Sequence, residues 1–203
     1  MKENITAKSL IDLFEKTGVL KRIPRMGWKM RGVPECESVA DHSFRVIVIA
    51  MLLGDLLKKD YSINMERLLR SAILHEIPES ELTDLALGPA LSVGRDVKHK
   101  AECAAFKKIF SKFDLLDEYF EQWLDFEECR NIEGKIVKLA DKLDMMIQAY
   151  EYEKNGIRNL NDFWNNDENY ESFEFDIIKA VYVELKKRRA ELFNAKPNFI
   201  EKG

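Results

Sequence analysis

Leu68-Leu69-Arg70-Ser71-Ala72-Ile73-Leu74-His75-Glu76-Ile77-Pro78-Glu79 is the stretch that decides the fold. Leu68, Leu69, Ala72 and Ile73 recur at the spacing of one helix face, and Pro78 stops that helix because proline disfavours the α region for the residue before it. The spacing therefore predicts an amphipathic helix with His75 and Glu76 in its last turn. Consecutive helical side chains diverge by about 100°, so this imidazole and carboxylate meet one ligand only off the helix end, where the backbone turns away. Glu79, Glu81 and Asp84 follow, gathering acids just beyond the stop. Two readings stand at this point: a satisfied core histidine with a solvated neighbour, or two metal ligands side by side.

Toward the N-terminus, Ile5, Ala7, Leu10, Ile11, Leu13 and Phe14 form a helical stripe over Ile5 to Lys16, with Gly18 as its expected C-cap. Leu20 to Glu37 breaks periodicity with Pro24, Gly27, Gly32 and Pro34, and carries Lys21, Arg22, Arg25, Lys29 and Arg31. Trp28 argues that this loop is ordered, since a bulky aromatic packs on something. It reads either as a solvated basic loop with Trp28 as a lid on the core, or as a loop bringing arginine to a phosphate and an aromatic ring to a sugar or base. Ser38 opens the next helix, with Asp41 as the acidic partner of a capping box. Val46 to Leu53 is apolar all round, which predicts burial at the centre of the domain. His42 lies in the first turn, where the positive helix end favours the neutral imidazole that a metal requires. Asn64 is the expected cap of the helix that holds the opening stretch.

Beyond Pro78, residues 79–94 read as a loop or short turn tacked down by Leu82, Leu85, Leu87 and Leu91. Asp96 to Phe113 reads as a helix with Val97, Ala101, Ala104, Ala105, Ile109 and Phe110 inward, and with His99, between Lys98 and Lys100, as a surface residue. Leu115 to Cys129 is another amphipathic helix. Ile132 to Glu153 is the longest patterned segment, its core stripe being Ile136, Ala140, Leu143, Ile147 and Tyr150. Asp141 stands beside that stripe, where an acid must be paired or metal-bound; Lys138 three residues earlier offers the ordinary pairing, and Asp144 and Gln148 extend the polar strip. Residues 159–170 are polar and aromatic, and Phe173 to Leu192 is a closing helix whose Lys186-Lys187-Arg188-Arg189 run reads as a solvated end complementing the helix dipole. No strand pattern appears. The expectation is an all-α fold of about seven helices in one domain, residues 1–203, with a core over about 10–153 and the 173–192 helix packed on it.

Composition narrows the function classes. A chain of 203 residues supports a sizeable core without staples. Its net charge of -4 is no footprint for a nucleic acid polymer. Cys36, Cys103 and Cys129 include no Cys-x-x-Cys pair, which argues for a reducing compartment and against a disulfide framework or zinc ribbon. Val46 to Leu53, the longest apolar run, is too short to span a bilayer, and the N-terminus lacks a leader pattern. The expectation is a soluble, cytoplasmic protein with no membrane partner.

His42, the pair His75-Glu76, and Asp141 within Val137-Lys138-Leu139-Ala140-Asp141-Lys142-Leu143-Asp144 together resemble the HD-domain metal-dependent phosphohydrolases, whose signature is a histidine, a histidine-aspartate doublet and a distant aspartate. Glu37-Ser38-Val39-Ala40-Asp41-His42-Ser43 and the acids from Glu79 to Asp84 resemble the 5′-deoxynucleotidase branch of that superfamily. The likeness covers roughly Leu10 to Glu153 and implies an HD-domain helical bundle. It implies His42, His75, Glu76 and Asp141 as ligands of one divalent ion, with manganese, cobalt, magnesium, zinc and iron all compatible with the donor set. It also implies Glu79 and Asp84 as the acids acting on phosphate and water, Arg25 and Trp28 as substrate-binding residues, a nucleoside 5′-monophosphate as substrate, and a homodimer. Two positions depart from the pattern. Glu76 replaces the aspartate of the doublet, and Arg25 and Trp28, adjacent in the bacterial enzymes, are separated here by Met26-Gly27. Other HD phosphohydrolases, of alarmone or phosphodiester type, and a catalytically silent nucleotide-binding scaffold are the rival readings.

Overall fold

The computed structural model describes residues 5–86, 88, 92–165 and 175–194. Leu87, Leu91, Phe173 and residues 166–170 of the polar aromatic segment lie outside them. The chain falls into two compact units, residues 1–144 and 145–203. In order, the helices are α1 (Ala7–Gly18), α2 (Met26–Lys29), α3 (Val39–Leu57), α4 (Met65–Leu74), α5 (Glu79–Leu82), α6 (Arg95–Ile109), α7 (Leu116–Glu127), α8 (Ile132–Lys154), α9 (Asn161–Trp164) and α10 (Asp176–Asn194). Seven of these have ten or more residues, and no strand occurs among the described residues. The fold is all-α, as the periodicity predicts.

Local chemistry sets the helix starts. Thr6 and Ser9 form a capping box at α1, Ser38 and Asp41 form one at α3, and Asn64 accepts the Arg67 N–H at α4. The end of α1 differs from expectation. Gly18 stays right-handed at φ -61° and the chain runs on into a 3-10 turn, Val19–Lys21, so no left-handed cap is needed.

In the first unit α3 packs on α4, α4 on α7, and α5 on both α1 and α6. Leu20, Ile23, Val39, Leu74, Ile77, Phe106, Phe110, Trp123 and Leu124 form its core cluster. The buried faces correct three readings. Val46, Ala50 and Leu53 are buried, whereas Met51 and Leu52 are exposed, because only one side of α3 is turned to the core. In α4 the buried residues are Leu68, Ser71, Ala72 and Leu74, with Ile73 outside. In α6 the buried face is Glu102, Ala105 and Phe106 while Val97 and Ala104 face outward; Lys98 pairs with Glu102, which lets an acid occupy the inner side.

In the second unit Ile178, Tyr182 and Leu185 bury one face of α10. Arg189, expected in a solvated charge run, is instead an internal anchor. Its Nε and Nη2 donate to the two oxygens of the fully buried Glu153 at 2.7 Å each, and its guanidinium lies 4.6 Å from the Trp164 ring centroid.

Candidate metal centre

Three helices of the first unit converge on one polar cluster. The first turn of α3 supplies His42, the turn after α4 supplies His75 and Glu76, and α8 supplies Asp141. His42 Nε2 lies 3.3 Å from Asp141 Oδ1 and 3.4 Å from Glu76 Oε1. Glu76 Oε1 lies 3.9 Å from His75 Nε2, and the two imidazole centroids are 5.6 Å apart. Each ring is fixed from behind: His75 Nδ1 donates to the Ala72 carbonyl at 2.7 Å, and His42 Nδ1 meets Asp144 Oδ2 at 2.6 Å. The His75 ring also packs edge-on against Phe126 at 5.2 Å, and Trp123 donates its indole N–H to the His75 carbonyl.

Both Nε2 atoms are buried and neither has an aligned hydrogen-bond partner. An unshared nitrogen in such a place is costly, and two of them facing two carboxylates answer the cost if a cation sits between. Two imidazole nitrogens and two carboxylates form a mixed donor set that fits a divalent ion.

The charges around the cluster are tuned against one another. Burial alone would push His42 toward the neutral form, as would its helix N-terminus, but the Asp141, Asp144 and Glu76 carboxylates outweigh this and raise it well above the ordinary histidine value. The carboxylates thus favour a positive charge at this ring, against the neutral imidazole expected from its place at the helix N-terminus. His75, wholly buried, is pushed down. Burial resists ionisation of Glu76 and Asp141, yet contact with His42 and the charge of Arg25 hold both below the usual carboxylate range.

Beside this centre stands a second layer. Arg25 Nη1 lies 3.0 Å from Glu76 Oε1 and 3.9 Å from Asp84 Oδ1, and Asp84 also accepts the Met26 N–H at 2.6 Å. Glu79 is buried with one oxygen unpartnered, and burial together with the negative charges of Glu76 and Asp84 raises it well above the usual range. Burial raises Asp84 as well, against the pull of Arg25.

The HD domain profile matches residues 17–177. The chain belongs to the HD-domain family. It is 35% identical over 188 residues to human 5′-deoxynucleotidase HDDC2, covering 91% of this chain and 88% of that protein. It is 31% identical to 5′-deoxynucleotidase YBR242W of Saccharomyces cerevisiae, over 86% of this chain and 72% of that protein. Among solved structures, a conserved hypothetical protein of Pyrococcus furiosus superposes with a TM-score of 0.76 at 45% identity, over 87% of this chain and 99% of that one.

In this HD-domain protein His42, His75 and Glu76 lie close enough together to hold one ion, Asp141 reaches His42, and Arg25, Glu79 and Asp84 stand alongside. Trp28 does not present a free ring. It is 2% exposed and donates its indole N–H to Glu37 Oε1 at 2.9 Å, so the two readings of the basic loop divide: Arg25 reaches the site, and Trp28 is packed on the core. Lys138 sits over the Phe126 ring at 4.0 Å, and Asp141 turns to His42. His99 is half-exposed and stacks on Trp123 with ring planes 8° apart. It also groups with Glu102 and Glu127, but the Lys98 ammonium already pairs with Glu102 there. Sequence reading named Asp144 and Glu37 without seeing that they support His42, and it missed Arg45. The one available signal was a second aspartate one turn after Asp141.

Proposed function

We propose that this protein is a divalent-metal-dependent phosphohydrolase releasing phosphate from deoxynucleoside 5′-monophosphates. The reading rests on two buried, unshared imidazole nitrogens facing Glu76 and Asp141, with an arginine and two further acids at the rim. The relatives named 5′-deoxynucleotidase supply the substrate class. His42, His75, Glu76 and Asp141 would hold one ion of manganese, cobalt, magnesium, zinc or iron, which supplies Lewis acidity at the phosphoryl oxygens and makes a bound water more acidic.

The remaining chemistry belongs to the side chains. Arg25, pinned by Glu76 and Asp84, pairs with the phosphate dianion through charge-assisted hydrogen bonds. Asp84, held by the Met26 N–H, accepts a proton from the attacking water as its oxygen bonds to phosphorus. Glu79, raised well above the usual carboxylate range by burial and by the charges of Glu76 and Asp84, passes its proton to the departing 5′-oxygen as the P–O bond breaks. The products are the nucleoside and inorganic phosphate. Trp28 enters this scheme as the packing behind the Arg25 segment. A reducing, cytoplasmic setting belongs to the same proposal, in keeping with three free cysteines, as does a homodimer, which sedimentation tests.

The direct test strips the protein with chelator, restores each metal in turn, and follows phosphate release from deoxy- and ribonucleoside 5′-monophosphates. Metal-restored release with preference for the deoxy series is expected. Nucleotide binding without release under every metal would overturn the reading in favour of a silent binding protein. Asp141→Ala is expected to abolish both metal binding and hydrolysis, and a variant retaining both would remove Asp141 from the ligand set.

A further inference from the structure

His42 has two ring nitrogens with different duties. Nε2 faces Glu76 and Asp141, while Nδ1 touches Asp144, a residue with no solvent exposure. A carboxylate on Nδ1 keeps the proton there, leaves the Nε2 lone pair for a cation and fixes the plane of the ring. Behind Asp144 the chain of contacts continues. Its Oδ1 accepts the Arg45 Nε–H, Arg45 Nη2 lies 3.9 Å from Glu37 Oε2, and Glu37 Oε1 accepts the Trp28 indole N–H. Arg45 matters because a buried carboxylate without a countercharge is strongly penalised. The line thus runs from a buried tryptophan in the basic loop, through α3, to an aspartate on α8 and back to the imidazole.

Resting on the reading of His42 as a metal ligand, we propose that Asp144 is a positioning residue that sets divalent-ion affinity through His42, and that Arg45, Glu37 and Trp28 hold it in place. Asp144 touches neither substrate nor ion. Its loss changes how well His42 is presented, so the ion's dissociation constant moves while turnover of the fully loaded enzyme stays near wild type.

The experiment is calorimetric titration of the chelator-stripped full-length protein with manganese or cobalt, paired with phosphate release at saturating metal. Asp144→Asn is expected to bind the ion about 10- to 100-fold more weakly, with turnover at saturating metal changed only a few-fold. Arg45→Gln and Trp28→Phe, which spare the aspartate and the aromatic ring respectively, are expected to weaken the ion in the same direction by less, and they carry the test should Asp144→Asn not fold. A second readout is nitrogen NMR of the His42 ring in wild-type protein loaded with zinc. A protonated Nδ1 in a carboxylate hydrogen bond is expected, and a protonated Nε2 overturns the inference. Wild-type ion affinity in Asp144→Asn and Arg45→Gln also overturns it, even where turnover falls. The control is Asp141→Ala. If it loses the ion while Asp144→Asn keeps full affinity, only the positioning role fails; if it keeps the ion, the metal-site reading fails and the positioning role with it.

Discussion

Glu79 is the residue whose environment says most about its task. It is buried, one oxygen lacks a partner, and Glu76 and Asp84 stand nearby with negative charge, so its proton is retained where an ordinary glutamate has lost it. A proton donor must be protonated, so activity is expected to fall as pH rises through the raised value of Glu79. Glu79→Gln keeps the shape and removes the transferable proton. It is expected to lower kcat by about 10²- to 10⁴-fold and to erase that alkaline limb, while metal affinity by titration stays close to wild type. An unchanged limb in the variant would assign it to another group. Glu79 and Asp84 were legible in the sequence as acids after a helix stop. How strongly each holds a proton was not, because that depends on burial and on the charges of Arg25, just before α2, and Glu76, in the turn after α4.

At the scale of elements, caps were legible and faces were not. Ser38, Asp41 and Asn64 announced their helix starts because a cap is a contact between residues three apart. The inner faces of α3 and α6 were misread because the side a helix buries is chosen by partners far along the chain. A close approach marks one such junction. A Cβ added at Gly134 in α8 would lie 1.8 Å from the Asp125 carbonyl oxygen in α7. Alanine is favoured over glycine in a helix by about 1 kcal/mol, but here the obstacle is backbone and cannot rotate aside. Gly134→Ala is therefore expected to destabilise the protein by about 1–3 kcal/mol, measured by urea unfolding. A gain in stability would show that α7 and α8 separate freely.

For the molecule as a whole, the proposed metal centre is expected to couple stability to pH and to metal. His42, Glu79 and Asp84 all bind protons more tightly folded than unfolded. Their contribution is complete below the unfolded values and is lost as pH rises through the folded ones. Glu76 and Asp141 act in the opposite sense, contributing above the ordinary carboxylate range and failing in acid. The chelated protein is thus expected to lose thermal stability as pH climbs above the ordinary histidine value of 6.5. Added divalent ion is expected to restore it by replacing the His42 proton and binding only the folded chain. A melting temperature indifferent to both pH and metal in a thermal-shift series would contradict the coupling. The sequence by itself determined the all-α class and the capped helix starts at Ser38 and Asn64, because periodicity and caps are local properties, while His42, His75, Glu76 and Asp141 were candidate ligands through the resemblance their motifs carry. Only the tertiary structure decided that Trp28 is packed inside, that Arg189 is an internal anchor, and that Asp144 stands behind His42. Those two residues are 102 apart in the chain, and contacts at such separation are chosen by how the helices pack, which no neighbouring residue records.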